Sequence, residues 1–180
     1  GTIMIKLGKT QVLTIQRFTT VGAFLSDEEK SQDILLPRKF VKKDWQVGKK
    51  IEVFVYKDNE NRPIATTLKP KIELGQLAIL QVKDINKVGA FLDWGLEKDL
   101  YLPYEEQTMK IRKLDYYLVA LYEDKSTRLT ATMKVGPYFS KEVPYKENDW
   151  VEAPTGWSST RRSSVPASWP SCRSWQARTS

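Results

Sequence analysis

Few side chains in this sequence are suited to acid–base or metal chemistry. There is no histidine, and Cys172 is the only cysteine. These absences exclude Cys/His zinc sites and every catalytic triad that depends on histidine. Carboxylates remain, but Glu105 and Glu106 are adjacent and would point apart on a strand, while Asp58 and Asp124 fall in predicted turns. We therefore expect no catalytic residue, no metal ligand and no cofactor, and we predict that the protein is not an enzyme.

A repeated string gives the first indication of organisation. VGAFL occurs at 21–25 and again at 88–92. Upstream, LGKTQVLTIQ aligns with LGQLAILQVK, and downstream VFVYKDNENRPIATT aligns with VALYEDKSTRLTATM, so that the repeat covers nearly all of residues 5–133. Self-similarity over this length indicates two copies of one small domain. We place the copies at 1–68 and 73–136.

Each copy has the pattern of an all-β domain. Alternating apolar residues mark QVLTIQ and ILQVK, and the glycine of each VGAFL string indicates a bulge or a close backbone approach. ILLP and LYLP end in a proline that suits a strand exit, and a fourth strand, a turn-rich loop and a fifth strand follow. Five short strands in about 60 residues predict an OB-type barrel. The predicted fold is all-β, with two tandem five-stranded OB-type barrels.

The order of these motifs resembles the RNA-binding domain named after ribosomal protein S1. The tandem copies, with DLYLPYEE and YEDKSTRLTAT, also resemble the N-terminal half of the bacterial conserved virulence factor B family. That resemblance implies an RNA-binding regulator with several S1-like barrels followed by a winged helix. VPYKENDWVE, at 143–152, is similar to the entry to a third barrel. We accordingly interpret residues 137–152 as a connector and the start of a third barrel that is missing from this chain.

The resemblance implies that single-stranded RNA is bound by stacking of bases on aromatic rings. It assigns Phe24 and Phe91 to the surface aromatic position of the second strand, whereas the residues alone favour rings that fill the barrel core. Tyr101 and Trp94 add aromatic side chains to the second copy, although Trp94 could equally cap the packing of a turn. An acidic loop at 27–30 would repel phosphate in the first copy. The second barrel is therefore expected to be the better RNA site.

Basic residues are expected to contact the phosphates of the same RNA. Arg62 and Arg128 begin the fifth strands of the two copies, and a solvated position in the hairpin is the alternative for both. The predicted phosphate contacts are Arg62, Arg128, Lys83 and Lys87.

Residues 153–180 differ in composition from the rest of the chain. They contain four arginines and three tryptophans but no lysine, aspartate or glutamate, and these arginines supply more than half of the net charge of +7. Such a segment is typical of a disordered tail rich in Ser, Arg and Pro, or of sequence that is not native to the domain. No function is assigned to it.

The predicted partner is single-stranded RNA, with other nucleic acids as an alternative. No stretch approaches the roughly 20 apolar residues of a membrane span, so we expect a cytoplasmic protein without a membrane partner. The sequence does not predict the oligomeric state. Gene regulation after transcription, related to virulence, is what the resemblance implies. The alternative functions are a protein-interaction module, because OB-type barrels serve both purposes, or a scaffold for a missing C-terminal half.

Overall fold

The structure, a computed structural model, describes residues 5–142, with side chains as far as residue 139. The predicted entry to a third barrel at 143–152 and the tail at 153–180 lie outside the described residues. The elements are β1 Thr10–Thr19, β2 Gly22–Ser26, β3 Ile34–Pro37, β4 Lys50–Lys57, β5 Pro63–Thr66, β6 Leu77–Asn86, β7 Gly89–Asp93, β8 Leu100–Pro103, β9 Tyr116–Glu123, β10 Leu129–Thr132 and α1 Gly136–Glu142. The prediction of an all-β fold with five strands in each copy is confirmed.

The described chain divides into two compact units. The first contains the residues through Leu74 together with Gly95–Lys98 and Tyr122–Leu129, and the second contains Gly75–Trp94, Asp99–Leu121 and the described residues from Thr130. Strands β1–β5 belong to the first unit, and β6–β8 with most of β9 and β10 belong to the second. The bounds 1–68 and 73–136 that the repeat suggests for the domains stay predictions.

The first unit is a closed barrel with the strand order β1-β2-β3-β5-β4. Every pair in it is antiparallel except β3 and β5, which run parallel and meet at Leu35 and Ile64. The second unit contains a five-stranded sheet in the order β10-β9-β6-β7-β8, with β10 and β8 at its edges. Both units therefore have the same order of neighbouring strands, as two copies of one sequence should.

Alternation of side chains along the strands builds the interior of each unit, because successive residues of a strand point to opposite faces. Leu13 and Ile15 of β1 are buried, as are their counterparts Leu80 and Val82 of β6. The core of the first barrel consists of Leu13, Ile15, Ala23, Leu25, Ile34, Leu36, Ile51, Val53, Val55 and Ala65.

The register shifts by one residue at the same place in both copies. In the first, the shift between Ile15 and Arg17 sets Arg17 opposite Phe24. In the second, the shift between Val82 and Asp84 sets Asp84 opposite Phe91. An extra residue in one strand of an antiparallel pair bends that strand and redirects its side chains. The bulge thus determines which side chain faces each VGAFL phenylalanine.

Candidate nucleic-acid interface

Phe91 lies on the outer face of the second unit. Its neighbours Ala90 and Leu92 are fully buried, whereas Phe91 is only half-buried, as the alternation of β7 requires. Tyr101 of β8 is its partner in the register, and the two ring centroids are 5.5 Å apart with planes inclined by 32°. This geometry is within the usual range for a stabilising aromatic pair. The two rings form a half-exposed aromatic surface outside the core.

Two tyrosine hydroxyls bind the turn between β6 and β7. The hydroxyl of Tyr101 donates to the carbonyl oxygen of Val88 at 2.8 Å, and that of Tyr104 donates to the carbonyl oxygen of Asn86. Within the turn, the Val88 N–H donates to Oδ1 of Asn86 at 2.9 Å. Partial burial, followed by the negative charge of Glu105, raises the pKa of Tyr101 above its usual value, so its hydroxyl stays protonated and remains a donor. We call the Phe91–Tyr101 pair together with Tyr104 and the turn 86–89 the Phe91 face.

The charges around the Phe91 face nearly balance. Lys83 donates to Asp99 at 2.9 Å, and this hydrogen bond raises the pKa of the lysine. Lys113 lies 3.6 Å from Asp84. Lys87 is exposed in the turn of the Phe91 face and has no ion-pair partner among residues 5–139. Of the two lysines predicted to contact phosphate, Lys83 is therefore already paired, whereas Lys87 is available.

The first unit has a different surface at the equivalent place. Phe24 is half-buried on the outer face of β2, opposite Leu35, which occupies the position of Tyr101. The guanidinium carbon of Arg17 lies 4.2 Å from the centroid of the Phe24 ring, and Nη1 of Arg17 donates to Asp33 at 2.6 Å. We call these three residues with Leu35 the Phe24 face. Unlike Phe91, Phe24 is covered by a cation.

Trp94 and Asp27 follow β7 and β2 at equivalent positions of the two copies. Trp94 is 3% exposed, so its ring offers no open face to a base, and its burial favours the packing role that the sequence left as an alternative. Asp27 is 5% exposed and accepts hydrogen bonds from the hydroxyl of Ser31 at 2.6 Å and from its N–H at 2.9 Å. These bonds lower the pKa of Asp27. Trp94 is therefore left out of the proposed interface. Asp27 stabilises the loop from 27 to 31 through its hydrogen bonds with Ser31.

The predicted arginines lie in hairpin turns that aspartates organise. Nε of Arg62 donates to Asp58 at 3.1 Å, and its guanidinium also forms an ion pair with Glu60. Burial raises the pKa of Asp58, but the hydrogen bonds from Arg62 and Glu60 outweigh that effect and lower it overall. In the second turn, the N–H of Arg128 donates to Asp124 at 3.0 Å. The guanidinium of Arg62 is thus engaged by two carboxylates before any ligand arrives.

Register relates Arg62, but not Arg128, to an aromatic side chain. Phe24 pairs with Leu35, and Leu35 pairs with Ile64, so these residues form a row across β2, β3 and β5. Arg62 lies two residues before Ile64, just ahead of β5, so it is next to this row and not part of it. In the second sheet β8 and β10 are edges, and no corresponding row connects Arg128 with Phe91.

The sequence did not predict the role of Tyr104, and the bulge that it indicated as one alternative at the VGAFL glycines lies instead in β1 and β6. The indication of Tyr104 was present in LYLPY, where two tyrosines stand at the positions of Leu35 and Arg38 in the first copy. The bulge leaves no comparable indication, since Arg17 and Asp84 are polar residues in otherwise regular strand patterns. Within residues 5–139, no group of three or more acidic, histidine or cysteine side chains could hold a metal ion. None of the described helices has the length and apolar character to cross a membrane.

Two five-stranded β units, each with a half-buried phenylalanine on the outer face of its second strand, define a protein of tandem OB-type barrels. The model of the S1 domain family matches this chain twice, at residues 7–68 and 74–134. The two matches cover more than half of the chain. It therefore belongs to the S1 domain family.

Two relatives show the extent of the similarity. The uncharacterized protein YitL of Bacillus subtilis (strain 168) is 29% identical over 147 residues, which is 76% of this chain and 44% of YitL. A multidomain protein with nucleic acid binding domains from Streptococcus pneumoniae TIGR4, known from its crystal structure, is 22% identical, with a TM-score of 0.59 over 80% of this chain and 52% of that one. At this identity the second similarity shows the fold. This chain spans about half the length of these relatives.

Proposed function

We propose that this protein binds single-stranded RNA, without catalysis, through the Phe91 face of its second unit. The observation that carries the proposal is the half-exposed Phe91–Tyr101 pair on the outer side of β7 and β8. Membership of the S1 domain family and the nucleic acid binding domains named for the streptococcal protein support a nucleic-acid ligand. A single strand is favoured over a duplex because only unstacked bases can lie against aromatic rings.

Stacking is the main attractive interaction in this proposal. Each stacked base contributes about 1–3 kcal/mol. The hydroxyls of Tyr101 and Tyr104 are held by the turn at Val88 and Asn86, so the rings lose little conformational freedom when a base arrives, which lowers the cost of binding. Lys87 extends from the same turn and supplies a phosphate contact. One barrel of this kind binds weakly, and neighbouring domains on the same chain raise the affinity through effective concentration.

The cellular role follows from the resemblance to the virulence factor B family. We place the protein among regulators that act on RNA after transcription in the bacterial cytoplasm. Because the chain spans about half the length of its relatives, further domains of such proteins would contribute to the choice of RNA.

A protein-interaction module is the second candidate function, and one observation favours it. Lys83 and Lys113 are paired with Asp99 and Asp84, so the Phe91 face has no large excess of positive charge. An aromatic surface with balanced charge also suits a protein partner. RNA titration separates the two candidates, because a protein-interaction face would leave RNA affinity independent of Phe91.

The experiment compares Phe91→Ala with the unmodified chain in fluorescence titrations against a single-stranded RNA of about ten nucleotides. Loss of one stacking ring should weaken binding by roughly 5- to 150-fold. Phe18→Ala is the control, since Phe18 is an exposed aromatic residue of β1 outside the Phe91 face. Thermal unfolding of both variants tests the alternative in which Phe91 supports the core. That alternative predicts a loss of about 3–5 kcal/mol of stability with unchanged affinity per folded molecule, and this result would refute the proposal.

A further inference from the structure

We infer that Asp33 keeps the first copy from binding RNA as the second does, by holding the guanidinium of Arg17 over the ring of Phe24. This inference rests on the function proposed above, and it makes the two copies of the repeat unequal. Asp33 would be a residue that determines specificity between the two faces. Phe24 would contribute to binding only after Arg17 had moved.

The geometry of the Phe24 face supports this arrangement. The register shift in β1 sets Arg17 directly opposite Phe24. The guanidinium carbon then lies 4.2 Å from the ring centroid, a distance at which a cation and the face of an aromatic ring attract each other. Nη1 of Arg17 reaches Oδ2 of Asp33 at 2.6 Å, so the carboxylate favours the position of the guanidinium over the ring. The ring face that a base would need is occupied by a side chain of the same unit.

The second copy has the same bulge with a different outcome. Asp84 stands where the first copy has Arg17, and it faces Phe91 in the register. Asp99, the counterpart of Asp33, pairs with Lys83, the residue that precedes Asp84 in β6. No lysine or arginine of residues 5–139 lies over the Phe91 ring. An aspartate in place of arginine opposite the phenylalanine therefore leaves the ring uncovered.

The covering side chain is removable. The side chains of Arg17 and Asp33 are 53% and 42% exposed, and ion pairs this exposed to water are weak. A guanidinium released from Asp33 is also a suitable group for phosphate, because its donors match phosphate oxygens. The Phe24 face is thus the same kind of site with its ring covered, and the carboxylate of Asp33 holds the covering side chain.

The test uses Asp33→Asn and Arg17→Ala, each made in the unmodified chain and in the Phe91→Ala variant, with the same single-stranded RNA. Asp33→Asn keeps the shape of the side chain but removes its charge, so it should raise affinity roughly two- to five-fold. The freed guanidinium should also steepen the log–log salt dependence by about 0.7 for one phosphate contact. Arg17→Ala uncovers Phe24 without adding a cation, so affinity should rise without the steeper salt dependence. Asp44→Asn, which removes the same charge from an exposed aspartate in the loop before β4 and outside both faces, is the control, and it should leave RNA affinity unchanged.

A structural measurement accompanies the titrations. The Nε–H resonance of Arg17 should carry a ring-current shift from Phe24, and this shift should decrease in Asp33→Asn. Reduced affinity in Asp33→Asn would overturn the inference, because Asp33 would then be presenting Arg17 to the RNA. Unchanged affinity in both Asp33→Asn and Arg17→Ala would overturn it as well. If Phe91→Ala binds as tightly as the unmodified chain while Asp33→Asn binds more tightly, the proposed role of the Phe91 face fails and this inference stands.

Discussion

Gly89 and Tyr101 lie so close across β7 and β8 that a Cβ atom on residue 89 would be 2.8 Å from Cε1 of the tyrosine ring. The same Cβ would be 2.8 Å from the carbonyl oxygen of Leu102, and the φ angle of Gly89 is +153°, which side chains rarely tolerate. In the first copy, a Cβ on Gly22 would be 2.1 Å from the carbonyl oxygen of Leu36. The glycine of each VGAFL string is therefore required by the close approach of the second and third strands.

Replacement of Gly89 by alanine should disturb both the barrel and the aromatic surface. The added methyl group must displace Tyr101 or the backbone at Leu102, and we expect a loss of about 2 kcal/mol or more in unfolding free energy. RNA affinity should fall with it, because Tyr101 would leave its position beside Phe91. Gly136→Ala is the control, since a Cβ at Gly136 meets nothing within 4 Å. Chemical denaturation measures both, and equal stability of the two variants would contradict the close approach.

Removal of Lys87 should change the salt dependence of RNA binding. One lost phosphate contact should reduce the log–log slope by about 0.7 for a single strand. Arg62→Ala should have a smaller effect, because Asp58 and Glu60 already neutralise its guanidinium. Titrations between low and moderate salt measure the slopes, with Lys134→Ala as a control for an exposed lysine after β10. If the slope of Lys87→Ala equals that of the unmodified chain, Lys87 does not contact the RNA. The phosphate contact of Arg128 stays a prediction, and the same titrations can test it.

Leu114 should limit the stability of the second unit. Its φ angle is 72° and the residue is 57% exposed, whereas Gly48, at the same place in the first copy, has a φ angle of 94°. Both N–H groups donate to the first strand of their unit, to Val82 and Ile15 respectively. A leucine in the left-handed conformation destabilises the folded state by about 1–2 kcal/mol. A glycine at this position would avoid that strain but would lose more conformational entropy on folding, which would cancel about half of the gain.

Leu114→Gly should accordingly stabilise the protein by about 0.5–1 kcal/mol. The reciprocal change, Gly48→Leu, should destabilise it by a similar amount. Both are measured by urea unfolding of the purified chain. A loss of stability in Leu114→Gly would mean that the exposed leucine makes a contact that outweighs its backbone strain.

Asp27 should make stability depend on pH in the acid range. Hydrogen bonds from the hydroxyl of Ser31 and then from its N–H lower the pKa of Asp27 below 3.8. A carboxyl group with a lowered pKa in the folded state stabilises that state above its unfolded pKa, and this contribution disappears as the pH falls through the folded value. Asp27→Asn should therefore be less stable than the unmodified chain above about pH 4, and the difference should shrink towards pH 2.

Thermal unfolding from pH 2 to pH 6 measures this difference in stability. The titration of all groups that Asp27→Asn shares with the unmodified chain cancels in the comparison. Asp44→Asn, an exposed aspartate in the loop before β4, is the control. A constant difference between Asp27→Asn and the unmodified chain across this range would show that the charge of Asp27 is not what holds the loop.

Local patterns in the sequence determined the strands and the repeat. The alternation of Leu13 with Ile15, and of Leu80 with Val82, is a property of consecutive residues, so it predicts strands without knowledge of their partners. The recurrence of VGAFL gave two copies of one domain for the same reason. The resemblance to the S1 domain, and not the string alone, identified Phe24 and Phe91 as candidates, but their positions outside the core required the pairing of neighbouring strands.

Contacts between strands decided the rest of the candidate site. Arg17 covers Phe24 because of the register across β1, β2 and β3. Phe91 pairs with Tyr101 because of the equivalent register in the second unit. In both units a bulge shifts the register by one residue. The sequence left Trp94 open between a surface aromatic and a cap on the packing of its turn, and its burial favours the second. A sequence records the order of side chains along one strand, whereas the neighbours of each side chain come from residues distant in the chain. Only the tertiary structure brings those residues together. It places Arg17 or Asp84 on one side of each phenylalanine and Leu35 or Tyr101 on the other, so that these sequence differences give the two rings different surroundings.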